Sequence, residues 1–136
     1  MKTLFTLLSL FVSSLAQAQT LGIHLVSWHD KPGFNNTNPG LYLKTQEGYL
    51  VGTVKNSENA QSYYAGKVFD YPLTRKVSGS LTVGVISGYK ASPLLPLVTP
   101  SVSIRVNPSD SLRVSYLPKV NKAGSHALHM SFERRF

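Results

Sequence analysis

The chain has 136 residues, with 14 lysines and arginines against 6 aspartates and glutamates, and its formal net charge is +8. It contains no cysteine, so disulfides, thiol chemistry and thiolate metal sites are excluded. A chain of this length is long enough for one domain and too short for two.

The first eighteen residues have the three parts of a secretory signal peptide. Residues 1–3 give a positively charged start, residues 4–15 are apolar, and residues 16–18 form an A-x-A cleavage site. We therefore expect residues 1–18 to be removed and residues 19–136 to form a single exported domain. For an exported protein, the positive charge favours anionic lipid, lipopolysaccharide or acidic glycans as partners rather than nucleic acid.

The mature chain consists of short alternating runs rich in β-branched and aromatic residues, separated by turn residues. Eight strands are predicted, at residues 21–29, 40–45, 49–55, 62–69, 80–88, 100–106, 111–117 and 126–136. Long and short connections alternate along the chain, as in membrane barrels, with the long stretch 70–79 as the exception. The sequence therefore predicts an all-β fold, an eight-stranded antiparallel up-and-down β-barrel.

The final strand carries the clearest indication of location. Phe136, Phe132, Met130 and Leu128 share one face, interrupted only by Arg134. An exported chain whose last strand ends in an aromatic residue resembles the outer-membrane β-barrels. The resemblance implies a location in the outer membrane and assembly by the barrel-assembly machinery, with a soluble periplasmic barrel as the alternative.

The same alternation predicts a lumen rich in cations. Carried back from the last strand, it places these side chains inward: Arg113, Arg105, Lys44, Lys67 and Arg135. Glu133 is the clear carboxylate among them. Because unpaired buried charge is costly, such a lumen requires hydration, a shift of parity at a bulge, or a soluble barrel.

The last strand also carries the candidate catalytic residues His129, Ser131 and Glu133, which share the inward face. The His-x-Ser spacing is similar to that of the outer-membrane lipid A deacylases, which implies Ser131 as nucleophile and His129 as base. In those enzymes the acid lies on a different strand, so Glu133 does not reproduce the triad. The alternative is lumen filling, with Glu133 paired to Arg113 or Arg135.

Polar and basic residues of the predicted outer loops are the candidate binding residues. They are His29, Asp30, Asn35, Asn36, Asn38, Lys55, Asn56, Tyr89, Lys90 and Lys119. Asparagine bonds readily to nearby backbone, so the first loop needs no ligand to be rigid. The stretch 87–100 is apolar for a loop, and its leucines must cover the barrel mouth, lipid or an envelope protein partner.

The sequence has no nucleotide-binding glycine motif, no HExxH and no carboxylate cluster with metal spacing, so no cofactor and no metal is expected. His24, His29, His126 and His129 lie on strands that become neighbours on barrel closure, which gives only a weak indication of a histidine site. The sequence predicts a small outer-membrane-type barrel that binds a ligand or modifies the cell surface through its outer loops. The alternatives are a hydrolase or transferase acting on acyl chains of lipid A or phospholipid, and a soluble periplasmic barrel that binds an acidic or small ligand.

Overall fold

The computed structural model describes residues 2, 3, 6, 18–119 and 124–136; most of the predicted signal peptide lies outside this part of the chain. The strands are β1 (Ala18–His29), β2 (Thr37–Thr45), β3 (Tyr49–Lys55), β4 (Gln61–Pro72), β5 (Val77–Ser87), β6 (Leu94–Arg105), β7 (Asp110–Leu117) and β8 (Ala127–Arg135). Each strand is antiparallel to the next, and β1 pairs with β8, which closes the barrel. The predicted eight-stranded antiparallel barrel is confirmed. Within the described residues, no helix combines the length and the apolar character needed to cross a membrane.

The connections divide the barrel into two ends. We call the end with the longer connections, 30–36, 56–60, 88–93 and 118–126, the loop rim. The opposite end, with connections 46–48, 73–76 and 106–109, is the turn rim. The prediction of a long turn at 70–79 is wrong. Tyr71 pairs with Gly79 and Pro72 pairs with Ser78, so β4 and β5 extend to a short turn.

The apolar stretch predicted as a loop at 87–100 is also largely strand. β6 begins at Leu94, and residues 94–100 pair in continuous register with residues 87–81 of β5. The register of β6 with β7, in contrast, runs only over residues 101–105. Pro96 and Pro100 lack the N–H that a second neighbour requires, and among the described pairings residues 94–100 of β6 pair with β5 alone.

The barrel wall separates polar from apolar side chains in the reverse of a water-soluble protein. The buried polar and charged groups are Thr20, Ser27, Asn38, Thr45, Asn56, Ser62, Thr82, Thr99, Ser101, Asp110, Arg113, Ser115, His129, Ser131 and Glu133. The buried apolar cluster is small: Tyr42, Leu50, Val54, Tyr64 and Val68. Every strand exposes at least one large apolar side chain on the outer face, among them Ile23, Leu41, Tyr49, Phe69, Val83, Val102, Tyr116 and Leu128.

One irregularity in β1 matters for the site. His24 pairs with Ser131 of β8, but Val26 pairs with the adjacent Met130, so Leu25 is an extra residue in the register of β1 with β8. The register of β1 with β2 also shifts here, since His24 pairs with Gly40 and Val26 with Thr37. A bulge of this kind reverses the alternation beyond it. His24 and Ser27 therefore both point into the barrel, although simple alternation places them on opposite faces.

Candidate functional site

A chain of four hydrogen-bonded side chains crosses the barrel interior. The Ser27 hydroxyl lies 2.7 Å from Nδ1 of His129. Nε2 of His129 lies 2.7 Å from Nδ1 of His24, and Nε2 of His24 lies 2.5 Å from the Tyr64 hydroxyl. Each imidazole thus has a partner on both nitrogens, and two sets of tautomers, with opposite donor directions, satisfy the whole chain.

The strand arrangement explains why these residues meet. β1 and β8 pair edge to edge, which places Ser27 directly opposite His129 in the register. The bulge at Leu25 turns Ser27 inward while leaving His24 inward. Ser27 and His129 are buried, with 3% and 5% of their surface exposed.

A second cluster surrounds the carboxylate of Glu133. Nη1 of Arg113 donates to Oε1 at 2.9 Å, and the Tyr42 hydroxyl donates to the same oxygen at 2.6 Å. Lys44 lies 3.9 Å from Oε2 and 3.8 Å from Asp70. The ion pair of Glu133 with Arg113, one of the two expected from the alternation, is therefore present, and each buried charge has a partner.

The other three cations that were predicted to point into the lumen, Lys67, Arg105 and Arg135, do not lie there. Lys67 lies on the outer face, with its Nζ 5.1 Å from the ring centroid of Tyr49 and 5.4 Å from that of Phe69. Its neighbours on β4, Gly66 and Val68, take the inward positions. Arg105 and Arg135 end their strands at the turn rim and are exposed.

Ser131 and His129 share the inward face but do not contact each other through hydrogen bonds among the described contacts. The Ser131 hydroxyl lies 3.4 Å from the Tyr42 hydroxyl, in the Glu133 cluster. The serine that bonds His129 is Ser27, which lies on the neighbouring strand β1. The geometry thus brings together a Ser–His pair other than the one that the His-x-Ser spacing indicates.

A cavity of about 710 Å³ occupies the loop-rim half of the barrel. Its inner end contains the Ser27–His129–His24–Tyr64 chain together with Arg113. Its wall is mostly apolar and includes Val54, Ile86, Leu95, Leu97 and Leu117. Lys55, Lys90 and Lys119 stand at its mouth, where Glu58 is the single lining carboxylate among the described residues. The volume lies within the range of small-molecule sites.

Two polar side chains lining this cavity lack a partner for one atom. Oδ1 of Asn38 and Oγ1 of Thr99 are buried, and neither atom has a hydrogen-bond partner within the described structure. Their residues are only 4% and 6% exposed. Buried polar atoms are nearly always satisfied, so these two point to a polar group of a bound molecule or to water in the cavity.

The predicted binding residues divide by their position. Those that line the cavity are His29, Asn38, Lys55, Asn56, Tyr89, Lys90 and Lys119. Asp30, Asn35 and Asn36 do not line it. The predicted binding residues thus lie at one end of the barrel, but only seven of the ten line this cavity.

Asp30 joins two connections of the loop rim. Its Oδ1 accepts hydrogen bonds from the Ser125 hydroxyl and, at 3.0 Å, from the backbone N–H of His126. His29 instead places Nδ1 2.6 Å from Oδ1 of Asn36. The two sequence neighbours thus have separate partners and form no relay.

The asparagines of this rim mostly bond backbone groups. Asn35 donates to the carbonyl oxygens of Thr37 at 2.6 Å and of Asn56 at 3.3 Å. Asn56 donates to the carbonyl oxygen of Gly88 at 3.0 Å and to the Ser62 hydroxyl at 2.9 Å. These amides tie three connections together and so shape the cavity mouth.

Three groups of the loop rim have shifted pKa values, and one of them is Lys119, whose pKa is lowered by its neighbour Lys31. The hydrogen bond from Ser125 lowers the pKa of the Asp30 carboxyl, which keeps it ionised where it holds the loops together. Burial raises the pKa of the Tyr89 hydroxyl. Tyr89 is therefore protonated at neutral pH and offers a hydrogen-bond donor at the cavity mouth.

The sequence reasoning missed Ser27, Tyr42 and Tyr64. A signal for the tyrosines exists in the glycines of neighbouring strands. Gly22 faces the Tyr42 ring and Gly52 faces the Tyr64 ring, each so closely that a Cβ would overlap the ring. A strand glycine marks a close approach of this kind. Among the described residues, no group of three or more histidine, aspartate or glutamate side chains is arranged to hold a metal ion.

No protein-family profile matches the sequence, and no curated protein sequence matches it. Solved structures share the fold. A chain from the de novo design of transmembrane β-barrels aligns with a TM-score of 0.65 at 14% identity, over 88% of this chain and 97% of that one. The solution NMR structure of the de novo designed TMB2.3 aligns with a TM-score of 0.61 at 16% identity, over 88% and 95%. At these identities the similarity establishes the fold: the chain is a closed eight-stranded β-barrel of the transmembrane type.

Proposed function

We propose that this chain is an outer-membrane β-barrel that binds an anionic amphiphile, a lipid with a negatively charged headgroup, in the cavity beneath its loop rim. The cavity carries the proposal, because it combines a mostly apolar wall with lysines at its mouth. This reading assigns the predicted surface-binding role to one site.

Membrane insertion is supported by the inverted polarity of the wall. Outward side chains such as Leu81, Val83 and Val85 are 40–42% exposed, and in water this apolar surface would be unfavourable. In a bilayer it meets hydrocarbon, while the polar lumen stays inside. Aromatic side chains near both ends, including Trp28 at the loop rim and Tyr71 at the turn rim, suit the two interfaces.

The ligand class follows from the chemistry of the cavity. An acyl chain fits against Ile86, Leu95 and Leu97, where burial of apolar surface drives binding. A phosphate or carboxylate headgroup would lie among Lys55, Lys90 and Lys119. The lipid and lipopolysaccharide partners expected from the sequence both contain these two parts.

Cell fractionation tests the location. The full chain, expressed in a Gram-negative host, should sediment with outer membranes after a urea wash and migrate on a gel differently before and after boiling. Recovery of folded protein in the soluble periplasmic fraction would refute insertion and favour the soluble barrel.

Binding is tested with the folded protein in a zwitterionic detergent and fluorescent phosphatidylglycerol as probe. Ile86→Trp fills the cavity and should weaken binding at least about tenfold, a loss of about 1.4 kcal/mol. Val85→Trp is the matched control, because Val85 precedes Ile86 on β5 but faces outward and is 42% exposed. Equal affinity of the native chain and Ile86→Trp would place the lipid elsewhere and overturn the proposed site.

A further inference from the structure

We propose that Ser27 is the nucleophile of an acyl-ester hydrolase centre at the inner end of this cavity, with His129 as its general base and His24 as a positioning residue. The inference rests on the proposed function, since the substrate is an amphiphilic ester held by its acyl chain in the same cavity. It differs from the His-x-Ser reading in the serine that reacts.

The geometry of Ser27 is that of an activated hydroxyl. Its oxygen lies 2.7 Å from Nδ1 of His129, within the distance for direct proton transfer. Nε2 of His129 lies 2.7 Å from Nδ1 of His24, which holds the ring of the base in place. With Nε2–H of His129 donating to His24, Nδ1 of His129 is free to accept the Ser27 proton. A nucleophile, a base and a third group that orients the base form the general arrangement of covalent catalysis.

The position of the centre matches the substrate class. Ser27, His129 and His24 all line the cavity, so a bound molecule reaches them from the loop rim. Leu97 and Leu117 line the same cavity and suit an acyl chain. Thr99, whose buried hydroxyl lacks a partner, offers a hydrogen bond to a polar group of the ester.

Ser131 is the less suitable nucleophile. Among the described residues, its hydroxyl has one hydrogen-bond partner, the Tyr42 hydroxyl at 3.4 Å, and Tyr42 in turn donates to Glu133. No base is within hydrogen-bond distance of Ser131 in the described contacts. It serves as the matched control because it is equally buried in the same lumen.

The reaction balances with water as co-reactant. The Ser27 oxygen bonds to the ester carbonyl carbon as its proton passes to His129 Nδ1. The carbon–alkoxy bond then breaks, and His129 returns the proton to the leaving alcohol. Water attacks the acyl-Ser27 ester, His129 takes a proton from it, the carbon–Ser27 bond breaks, and Ser27 regains a proton. The net change is ester plus water to acid plus alcohol.

The test uses the folded full chain in detergent with p-nitrophenyl decanoate as substrate and an alkyl fluorophosphonate as covalent probe. Ser27→Ala should lower kcat/KM at least about a hundredfold and abolish labelling, whereas Ser131→Ala should stay within about threefold of the native chain. Heat-modifiability on a gel verifies folding of each variant. Loss of activity in Ser131→Ala with retention in Ser27→Ala would overturn the assignment.

Ser27→Cys provides a second route if the alanine variant folds poorly. The thiol should be acylated by the same ester, and the acyl group should appear as added mass on the intact protein. An unmodified thiol in a folded variant would count against the proposal.

His24 needs a readout that separates positioning from stability. His24→Asn, whose amide oxygen can replace Nδ1 as acceptor, should keep kcat within about tenfold, and His24→Leu should lose about a hundredfold in kcat with little change in KM. Equal kcat in both variants would overturn the positioning role.

The outcomes also separate this centre from the proposed function. Binding of phosphatidylglycerol without hydrolysis or labelling would refute the hydrolase and leave the lipid-binding barrel standing. Hydrolysis with no cavity-dependent binding would refute the anionic-lipid site while retaining Ser27 as a reactive residue.

Discussion

The hydroxyl of Ser27 lies 2.7 Å from His129 although the two residues are 102 positions apart in the chain. They belong to the first and last strands of the barrel, so their contact depends on closure and on the extra residue Leu25 in β1. The reactive pair is therefore a property of the seam between two strands and not of any local motif.

The Glu133 cluster should be the most sensitive part of the lumen. Glu133→Leu leaves Arg113 buried without its carboxylate, and we expect the free energy of unfolding to fall by about 3–5 kcal/mol. Urea unfolding in lipid vesicles, followed by the fluorescence of the single tryptophan, measures this change. The double variant Glu133→Leu with Arg113→Leu should recover most of the loss.

The matched control for that change is Arg134→Gln. Arg134 also forms an ion pair, with Asp110 at 2.7 Å, but its side chain is 58% exposed. We expect a clearly smaller loss of stability than for Glu133→Leu, because water screens the exposed side of this pair. Equal effects of the two variants would show that the lumen is as well solvated as the surface.

Gly22 should tolerate no side chain while Tyr42 is present. A Cβ at Gly22 overlaps the Tyr42 ring, so Gly22→Ala should displace that ring and reduce the yield of folded barrel. The double variant Gly22→Ala with Tyr42→Ala should fold better than Gly22→Ala alone. Gly79→Ala is the control, since the nearest side-chain atom, on Leu73, lies at 3.7 Å. A folded, fully stable Gly22→Ala would contradict this packing.

Phe136 should be required for assembly into the outer membrane. Its side chain is exposed on the outer face, and its backbone N–H donates to the carbonyl oxygen of Gln19 at 2.8 Å. Phe136→Asp keeps that backbone bond but places a charge where the assembly signal is expected, so the yield of heat-modifiable protein in outer membranes should fall severalfold. Ser131→Ala should assemble normally. Unchanged yield of Phe136→Asp would reject the assembly-signal interpretation.

The lysines at the cavity mouth should set headgroup selectivity. Replacing Lys55, Lys90 and Lys119 together by Gln should weaken phosphatidylglycerol binding. The effect should be largest at low salt, because salt screens contacts between charges. Phosphatidylcholine binding should stay unchanged, because that headgroup has no net charge. Exposed cations of the turn rim, Arg75 and Lys76, provide a control far from the cavity. Insensitivity of binding to both the triple substitution and salt would mean that the charge only solvates the rim.

Side-chain alternation was sufficient to predict the strands and much of the lumen, because a period of two is a local property of the chain. It placed Arg113, Lys44 and Glu133 inward correctly. It failed at Lys67, since parity was carried across several turns whose register the sequence does not specify. It gave no indication of Ser27, because the bulge at Leu25 has no signature in the residues themselves.

The misplaced start of β6 has a different cause. The predicted strand began at residue 100, whereas the observed strand begins at Leu94 and contains Pro96, and proline cannot donate to a ladder on both sides. In the barrel, residues 94–100 have a partner in β5 and none in β7 within the described register, so the missing N–H groups cost little. Only the three-dimensional pairing reveals which edge the prolines face.

Pairing of β1 with β8 has a consequence for the order of folding. Strand β1, residues 18–29, can pair with β8 only after residues 127–135 have reached it. The ring of strands is therefore completed by contacts of very long sequence separation. Such contacts form slowly, because a large loop must close before they contribute. Until then both β1 and β8 present open edges that can pair with other chains. The Ser27–His129 pair is absent throughout this stage, so any reactivity of the serine would report directly on completion of the ring.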